Sequence, residues 1–332
     1  MTERSWYCIR TESKRQPSYD IRVERGILEP KGIRLESVDM DDPEAFDRAA
    51  PQVDAVLHSR GLLDAARIGR LTRCRIIAHY GTGVDRVDVA AATERGIWVT
   101  NGPLYAVDEV SSHAIALLLA VTRKIVAADR AVRAGQWHIK PIVPLRRIAG
   151  RTLGLLGFGN IARATGRKGR ALGLEVIAHD PYLGDRVFRS ENVQAVDFTT
   201  CLSEADILSI HLPLSPETRG IVSREAIARM KPGAVVVNTS RGPVVDEAAL
   251  VDALREGRLA GAGLDVFAEE PLRTDHPLLS LPTVTVSGHI GFYSEESIAQ
   301  GQRDAARQVV EALEGRPPAF LVNRQVLERP AR

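Results

Sequence analysis

The sequence predicts an α/β protein built from two doubly wound parallel sheets, and three observations carry that prediction. Short β-branched runs alternate with amphipathic stretches almost throughout, the pattern of strands joined by crossover helices. Several of the runs are apolar without interruption, as in "AVVVN" at 234–238, which marks strands buried on both faces. Finally, 332 residues exceed what one hydrophobic core usually fills, so the chain divides into two domains.

Taken in order, "VDAVLHS" (53–59), "RIIAHY" (75–80) and "GIWVTN" (96–101) read as strands with helices between them. A helical pattern then runs from about Ala106 to Ala134, ending near Gly135, before a basic, Pro-containing loop at 137–150. The alternation restarts at Thr152 with "TLGLLGFG", "LEVIAHD", "VQAVDF", "DILSIHL", "AVVVNTS", "LAGAGLDVF" and "VTVSGH", enough for a larger second sheet. The segment from Ser294 to Gly315 reads as one amphipathic helix with Ser294 as its N-cap. No short-period repeat or low-complexity tract interrupts this order.

Composition removes several function classes. With 44 basic and 42 acidic residues the net charge is +2, so no bulk field points to nucleic acid or a membrane surface. Cys8, Cys74 and Cys201 are far apart and odd in number, and no CxxC pair exists. That argues against a disulfide framework or a metal site and fits a reducing cytoplasm. The N-terminal "MTERSWYCIR" is too polar for a signal peptide, and the apolar run Ala114–Val121 is too short to span a bilayer.

The first chemical signal is "GLLGFGNIARATGRKG", which holds Gly157-x-Gly159-x-x-Ala162 after an apolar strand and at the opening of a helix. Gly157 permits the tight turn, Gly159 lets backbone approach a pyrophosphate, and small Ala162 allows close helix–strand packing. The amides of the helix start then face the phosphates. The next strand ends on Asp180, 23 positions after Gly157, placed to accept from both hydroxyls of an adenine ribose. Its neighbours His179, Pro181 and Tyr182 include no arginine or lysine to offset a 2′-phosphate, so NAD is favoured over NADP.

Three later strand ends carry residues able to act on a substrate beside a nicotinamide: Arg241 after "VVVNTS", Glu270 in "GLDVFAEEP" and His289 in "VTVSGHIG". Singly, each is unremarkable, since loops carry solvated arginines and a lone histidine is more often structural. Together they supply a fork for a carboxylate, a general acid/base, and a carboxylate to orient and charge that base. Asp265 either bonds the nicotinamide amide or caps a loop, and Glu269 reads as solvated.

At this point the chain resembles the D-isomer-specific 2-hydroxyacid dehydrogenases from about Ile21 to Gly315. The resemblance rests on "YGTGVDRVDVAAATERGIWVTN", "GLLGFGNIA", "HLPLSPETRGIV", "MKPGAVVVNTSRGPVVDEAALVDAL" and "AGAGLDVFAEEP". Within this phosphoglycerate dehydrogenase-like group, "HIGFYSEES" is similar to the subgroup that includes C-terminal-binding protein.

The resemblance implies a catalytic triad of Arg241, Glu270 and His289. It also implies an NAD site on Gly157, Gly159, Asn160, Ile161, Asp180, Pro213, Thr218, Thr239, Asp265, His289 and Gly291. The loop Tyr80, Gly81, Thr82 and Gly83 falls where the family holds the substrate carboxylate on backbone amides. The implied architecture is a Rossmann NAD-binding domain (102–289) inserted into a flavodoxin-like substrate domain (1–101 and 290–332), with a homodimerisation arm at about 106–150. Two departures stand out: Gly288 replaces a proline usual before the histidine, and Ala162 replaces the third glycine. In the unusual loop "HSRGLL", Arg60 is either an extra anion clamp or an exposed loop arginine.

The implied activity is hydride transfer between NAD and a small 2-hydroxy or 2-keto acid. An NAD-sensing corepressor-like binding module is one alternative, although no long disordered extension or basic arm is present. Oxidation of a phosphite, phosphonate or one-carbon acid on the same scaffold is another. Glutamine in place of Glu270 marks the formate branch and a lysine in the 80–83 loop marks the phosphite branch; this chain has neither. Arg60, Tyr80, Trp137, His138 and Lys140 are the expected selectors among acids. With nothing after residue 332, feedback by serine on a further domain is not expected.

Overall fold

The computed structural model describes residues 5–14 and 19–328. The chain divides into two compact units, Met1–Ala106 with Ser294–Arg332, and Val107–Tyr293.

The first unit holds β1 (Trp6–Glu12), β2 (Ile33–Asp39), β3 (Ala55–His58), β4 (Ile76–His79) and β5 (Trp98–Thr100). They form one parallel sheet in the order β2-β1-β3-β4-β5, the flavodoxin-like order. Neither β1 nor β2 stands out in the sequence. Charged residues interrupt both, and Arg10 in β1 argues against a buried strand. The structure buries Arg10 nonetheless, because its guanidinium pairs with Glu12 and with the fully buried Glu24. The helix Glu295–Leu313 covers this sheet, setting Ala305, Ala306, Val309 and Val310 against Cys8, Leu35, Leu57 and Ile76. Ser294 caps it as the sequence suggested, exchanging hydrogen bonds with Ser297 in a reciprocal cap.

The second unit holds β6 (Thr152–Leu156), β7 (Glu175–His179), β8 (Gln194–Ala195), β9 (Ile207–Ile210), β10 (Ala234–Asn238), β11 (Leu259–Leu264) and β12 (Val284–Val286). All pair in parallel, in the order β12-β11-β10-β9-β6-β7-β8. Strand order reverses between β6 and β9, the point where a doubly wound sheet opens a crevice at its strand ends. The glycine-rich turn leaves β6 at that point.

Two readings of this unit need correction. The run "VQAVDF" supplies only the two residues of β8, because Asp197 instead caps the helix Phe198–Glu204 by accepting from the Thr200 amide. The single helix expected from Ala106 to Ala134 is two helices, Val107–Thr122 and Ile125–Arg133, bent by 58°. The break sits at Lys124, whose φ of 51° is left-handed, and neither glycine nor proline announces it. The first helix buries Ala114, Leu117, Leu118 and Val121; the second buries nothing. No single helix among the described residues is long and apolar enough to cross a membrane.

Candidate active site

At the end of β6, Gly157 has a φ of 82°, and a side chain there would lie 2.9 Å from the His211 carbonyl oxygen. Backbone conformation and space thus both demand glycine. Gly159 then takes the N-cap position of the helix Asn160–Ala171 without a side-chain bond to its first amides, and a Cβ there would meet nothing within 4 Å. Those amides and the positive end of a three-turn helix are left for an anion. Ala162 is fully buried beneath the turn.

Asp180 ties this turn together: its carboxylate accepts from the Phe158 amide at 2.9 Å and from the Tyr182 amide at 3.0 Å. It is more than a solvated strand end. Thr218 donates its hydroxyl to the Pro213 carbonyl at 2.5 Å, which folds the loop after β9 on itself. Just past β10, the Thr239 hydroxyl is buried with no hydrogen-bond partner, an orphan polar group that a bound ligand would satisfy. The residues present therefore fit a dinucleotide.

The carboxyl ends of β10, β11 and β12 carry the three chemical candidates. Asn238, almost fully buried, accepts from the amide and hydroxyl of Ser240 and donates to the Arg241 carbonyl at 3.0 Å. This clamp fixes the turn that launches Arg241, whose Nη1 donates to the Ser240 carbonyl at 2.8 Å. A Cβ on Gly242 would overlap the carbonyl of Phe267, so only glycine lets the Arg241 loop lie against the 267–270 loop. Glu270 accepts from the Phe267 amide at 3.1 Å with one oxygen and lies 2.7 Å from His289 Nδ1 with the other. Burial pushes the Glu270 carboxyl up, but the bond to His289, its charge, the Phe267 amide and Arg241 together hold it below the ordinary range. The structure thus brings Arg241, Glu270 and His289 together.

His289 itself has a left-handed φ of 56°. For a residue with a Cβ such a conformation costs on the order of 1–3 kcal/mol, so neighbours must enforce it. Asp265 does so. Its carbonyl accepts from the His289 amide at 2.7 Å, and its carboxylate accepts from the amides of Ile290 (3.0 Å) and Gly291 (2.8 Å) and from the Ser287 hydroxyl (2.6 Å). Ser287 spends its one hydrogen on Asp265, so His113 Nε2, 2.7 Å from the same oxygen, must be the donor to it. Burial pushes the Asp265 carboxyl up, and His113, Ser287 and the two amides outweigh it to leave the group below its ordinary range. Its contacts are those of a loop cap. At Gly288 a Cβ would meet nothing within 4 Å, so lack of space does not dictate the glycine there.

In the first unit, the loop Tyr80–Gly83 follows β4. The Tyr80 hydroxyl donates to the buried Glu24 at 2.7 Å, and burial with that carboxylate drives its pKa well up. Thr82 donates its hydroxyl to the Gly102 carbonyl at 2.9 Å, and Asn101 donates to the Thr82 carbonyl at 2.7 Å. The loop's backbone, not its hydroxyls, is therefore what remains for an anion. Arg60 follows β3 with its amide bonded to the Thr11 hydroxyl at 3.2 Å. Burial works against its charge, and no ion pair offsets that among the described residues.

The pattern of the family described as "D-isomer specific 2-hydroxyacid dehydrogenase, NAD binding domain" matches residues 115–291. A glyoxylate reductase of Korarchaeum cryptofilum is 39% identical over 269 residues, covering 80% of this chain and 81% of that protein. The chain belongs to the D-isomer-specific 2-hydroxyacid dehydrogenase family.

Within the D-isomer-specific 2-hydroxyacid dehydrogenases, a D-3-phosphoglycerate dehydrogenase of Mycobacterium leprae is 39% identical over 284 residues, 85% of this chain. The chain spans about half the length of that relative (53%). Among solved structures, a glyoxylate reductase from Paecilomyes thermophila superposes with a TM-score of 0.87 at 30% identity, covering 96% of this chain and 99% of that one. The matched residues 115–291 fall within the second unit, which holds the glycine turn, Asp180, Arg241, Glu270 and His289. Three contributors are not singled out by the sequence: Asn238, His113 and Ser287. Only Asn238, the first polar residue after three valines, carried a local signal.

Proposed function

We propose that this chain is an NAD-dependent D-2-hydroxyacid dehydrogenase working as a 2-keto acid reductase in the direction from NADH. The observation that carries the reading is the His289–Glu270 pair at 2.7 Å, with Arg241 close enough to act on the same carboxylate. Arg241 presents a planar fork to the substrate carboxylate and draws electron density from the adjoining carbonyl. His289 hands a proton to the forming alkoxide in reduction and takes it back in oxidation. Glu270 fixes the imidazole ring and balances its positive charge, while Asp265, through its bonds to residues 287–291, holds that ring in place. NAD, when bound, supplies the hydride acceptor and its reduced form the donor.

The first unit is then the substrate domain, with the 81–83 amides and Arg60 serving an anionic group. The segment 106–150 is the homodimer arm, supported by the exposure of Trp137, Ile139, Ile125 and Val132 along it. The buried free thiols of Cys8, Cys74 and Cys201 suit the cytoplasm. Initial rates of NADH oxidation with a panel containing glyoxylate, hydroxypyruvate and bulkier 2-keto acids test the activity; no turnover with any of them overturns it. Asp180 makes the coenzyme choice checkable. NADH is preferred to NADPH, and Asp180→Ser narrows the ratio of their kcat/KM values while loosening the turn at Phe158. Equal kcat/KM for both coenzymes in the unaltered protein removes that role.

A further inference from the structure

β3 and β4 end side by side on His58 and His79, which are register partners. Their Nδ1 atoms lie 2.9 Å apart, and two nitrogens at that distance share one hydrogen, with one donor and one acceptor. Adjacent contacts assign the roles. His58 Nε2 is 3.1 Å from the Gly61 carbonyl, which only accepts, so this nitrogen carries a hydrogen. His79 Nδ1 is 3.0 Å from the His58 carbonyl, so it carries one too, shared between that carbonyl and His58 Nδ1. His58 Nδ1 is therefore the acceptor, and His58 is neutral.

The two rings differ in what a further proton does. On His58 it would have to go to Nδ1, where it would face the N–H of His79. On His79 it goes to Nε2 and leaves the contact intact. The pair thus admits one positive charge, and that charge belongs to His79. Burial first, and charge on His79 second, push the fully buried His58 down to about 3, against a pull upward from the Gly61 carbonyl. His79 Nε2 lies 2.8 Å from the position a Cβ on Gly81 would take, directly against the 81–83 loop. Around these strand ends Arg86 acts on both His58 and Arg60, Tyr19 and Tyr105 act on Arg60, and Asp85 precedes Arg86 in the chain.

We propose that His79 is a switchable cation of the 81–83 loop: His58 confines the pair's single charge to it, and an anion held by that loop binds more tightly while the charge is present. The inference rests on reading the loop as a substrate-carboxylate site. An anion that prefers the charged form must, by linkage, favour its protonation, so affinity rises as pH falls. The expected size is about 2–5-fold, that of a partly exposed charge pair.

The test is nitrogen NMR on the full chain with ¹⁵N-labelled histidine, titrated from pH 5 to 9 with and without oxalate, alongside glyoxylate kinetics with NADH over the same range. His58 Nδ1 should stay unprotonated throughout, His79 should take the added proton, and oxalate should move the His79 midpoint upward. KM for glyoxylate should climb with pH in the unaltered protein and stay at its high-pH value in His79→Gln. A protonated His58, or a His79 midpoint indifferent to oxalate, overturns the proposal, as does an unchanged slope of KM in His79→Gln. If oxalate shifts His79 but no 2-keto acid is reduced, the proposal stands and the dehydrogenase reading falls. If glyoxylate is reduced but His79 ignores oxalate, the reverse holds.

Discussion

Two histidine pairs sit at strand ends in this chain, and they are opposites. His289 lies 2.7 Å from the carboxylate of Glu270 and is partly exposed, while His58 lies 2.9 Å from another imidazole and is fully buried. A carboxylate partner can only accept, so it favours the imidazolium and suits a group that must give up a proton. An imidazole partner demands one donor and one acceptor, so it fixes a tautomer and keeps one ring neutral. The same side chain meets an anion in one setting and a second imidazole in the other, and the neighbour decides which hydrogen-bonding roles its ring can take.

Removing His289 breaks the first pair outright. His289→Ala is expected to lower kcat in both directions by ~10²–10⁴, since the proton path itself is gone, and full activity would reduce the pair to scaffolding. Arg241→Lys asks whether charge alone suffices beside that pair. Losing the bidentate fork should cost about 10–100-fold in kcat/KM for the keto acid, the range of a charge-assisted hydrogen bond. NADH affinity, read from fluorescence, should hold; an equal loss in both would place Arg241 in the cofactor site instead.

Asp265→Asn tests the support beneath His289. An amide cannot accept from Ser287, Ile290 and Gly291 as the carboxylate does, so one N–H is set against another donor. The expected loss is ~1–3 kcal/mol in denaturant unfolding, with kcat falling more than NADH affinity. Glu270→Gln makes the subtlest change, turning the first pair toward the second by leaving an uncharged partner. The variant's kcat should fall in both directions, because the ring loses the anion that it is bonded to. Because the Glu270 carboxyl is held low in the folded chain, its contribution to stability is present above the ordinary carboxylate range and lost as pH falls through its lowered value. Part-exposure limits that contribution to under about 1 kcal/mol, and the variant should lose this acid sensitivity in thermal melts between pH 6 and 3.

How much of this was legible in the sequence follows from how local each signal is. The Gly157 turn and Asp180 are read easily, because a left-handed turn, a helix start and an acidic strand end lie within one βαβ span. Arg241, Glu270 and His289 each follow an apolar strand, and strand ends point to ligands. Strands β1 and β2 escape the apolar pattern because charges interrupt them: Arg10 in β1 is buried only by pairing with Glu12 and Glu24, and Arg34 and Glu36 in β2 face solvent. The break at Lys124 has no breaker residue to announce it. His113 and Ser287 are separated by 174 positions, and only the fold brings them to the same carboxylate. His58 and His79 belong to two separate strands in the sequence; that they touch is a fact of register.

The last residues described complete the first unit. The bridge from Thr100 to Leu321 and the buried Asn323, bonded to Val99, Thr93 and Ile97, close the edge beside β5, and the helix Glu295–Leu313 fills the core under β1 and β3. On the ribosome, strands β1 to β5 therefore wait for partners made about 200 residues later. At the usual pace of synthesis that interval is on the order of 10–40 s. Throughout it, Cys8, Leu35, Leu57 and Ile76 lack the helix that shields them, and every strand of the intervening unit emerges before that helix does. The unit begun before the other is thus completed after it, and in between it is most exposed to chaperone capture or to pairing with a second nascent copy.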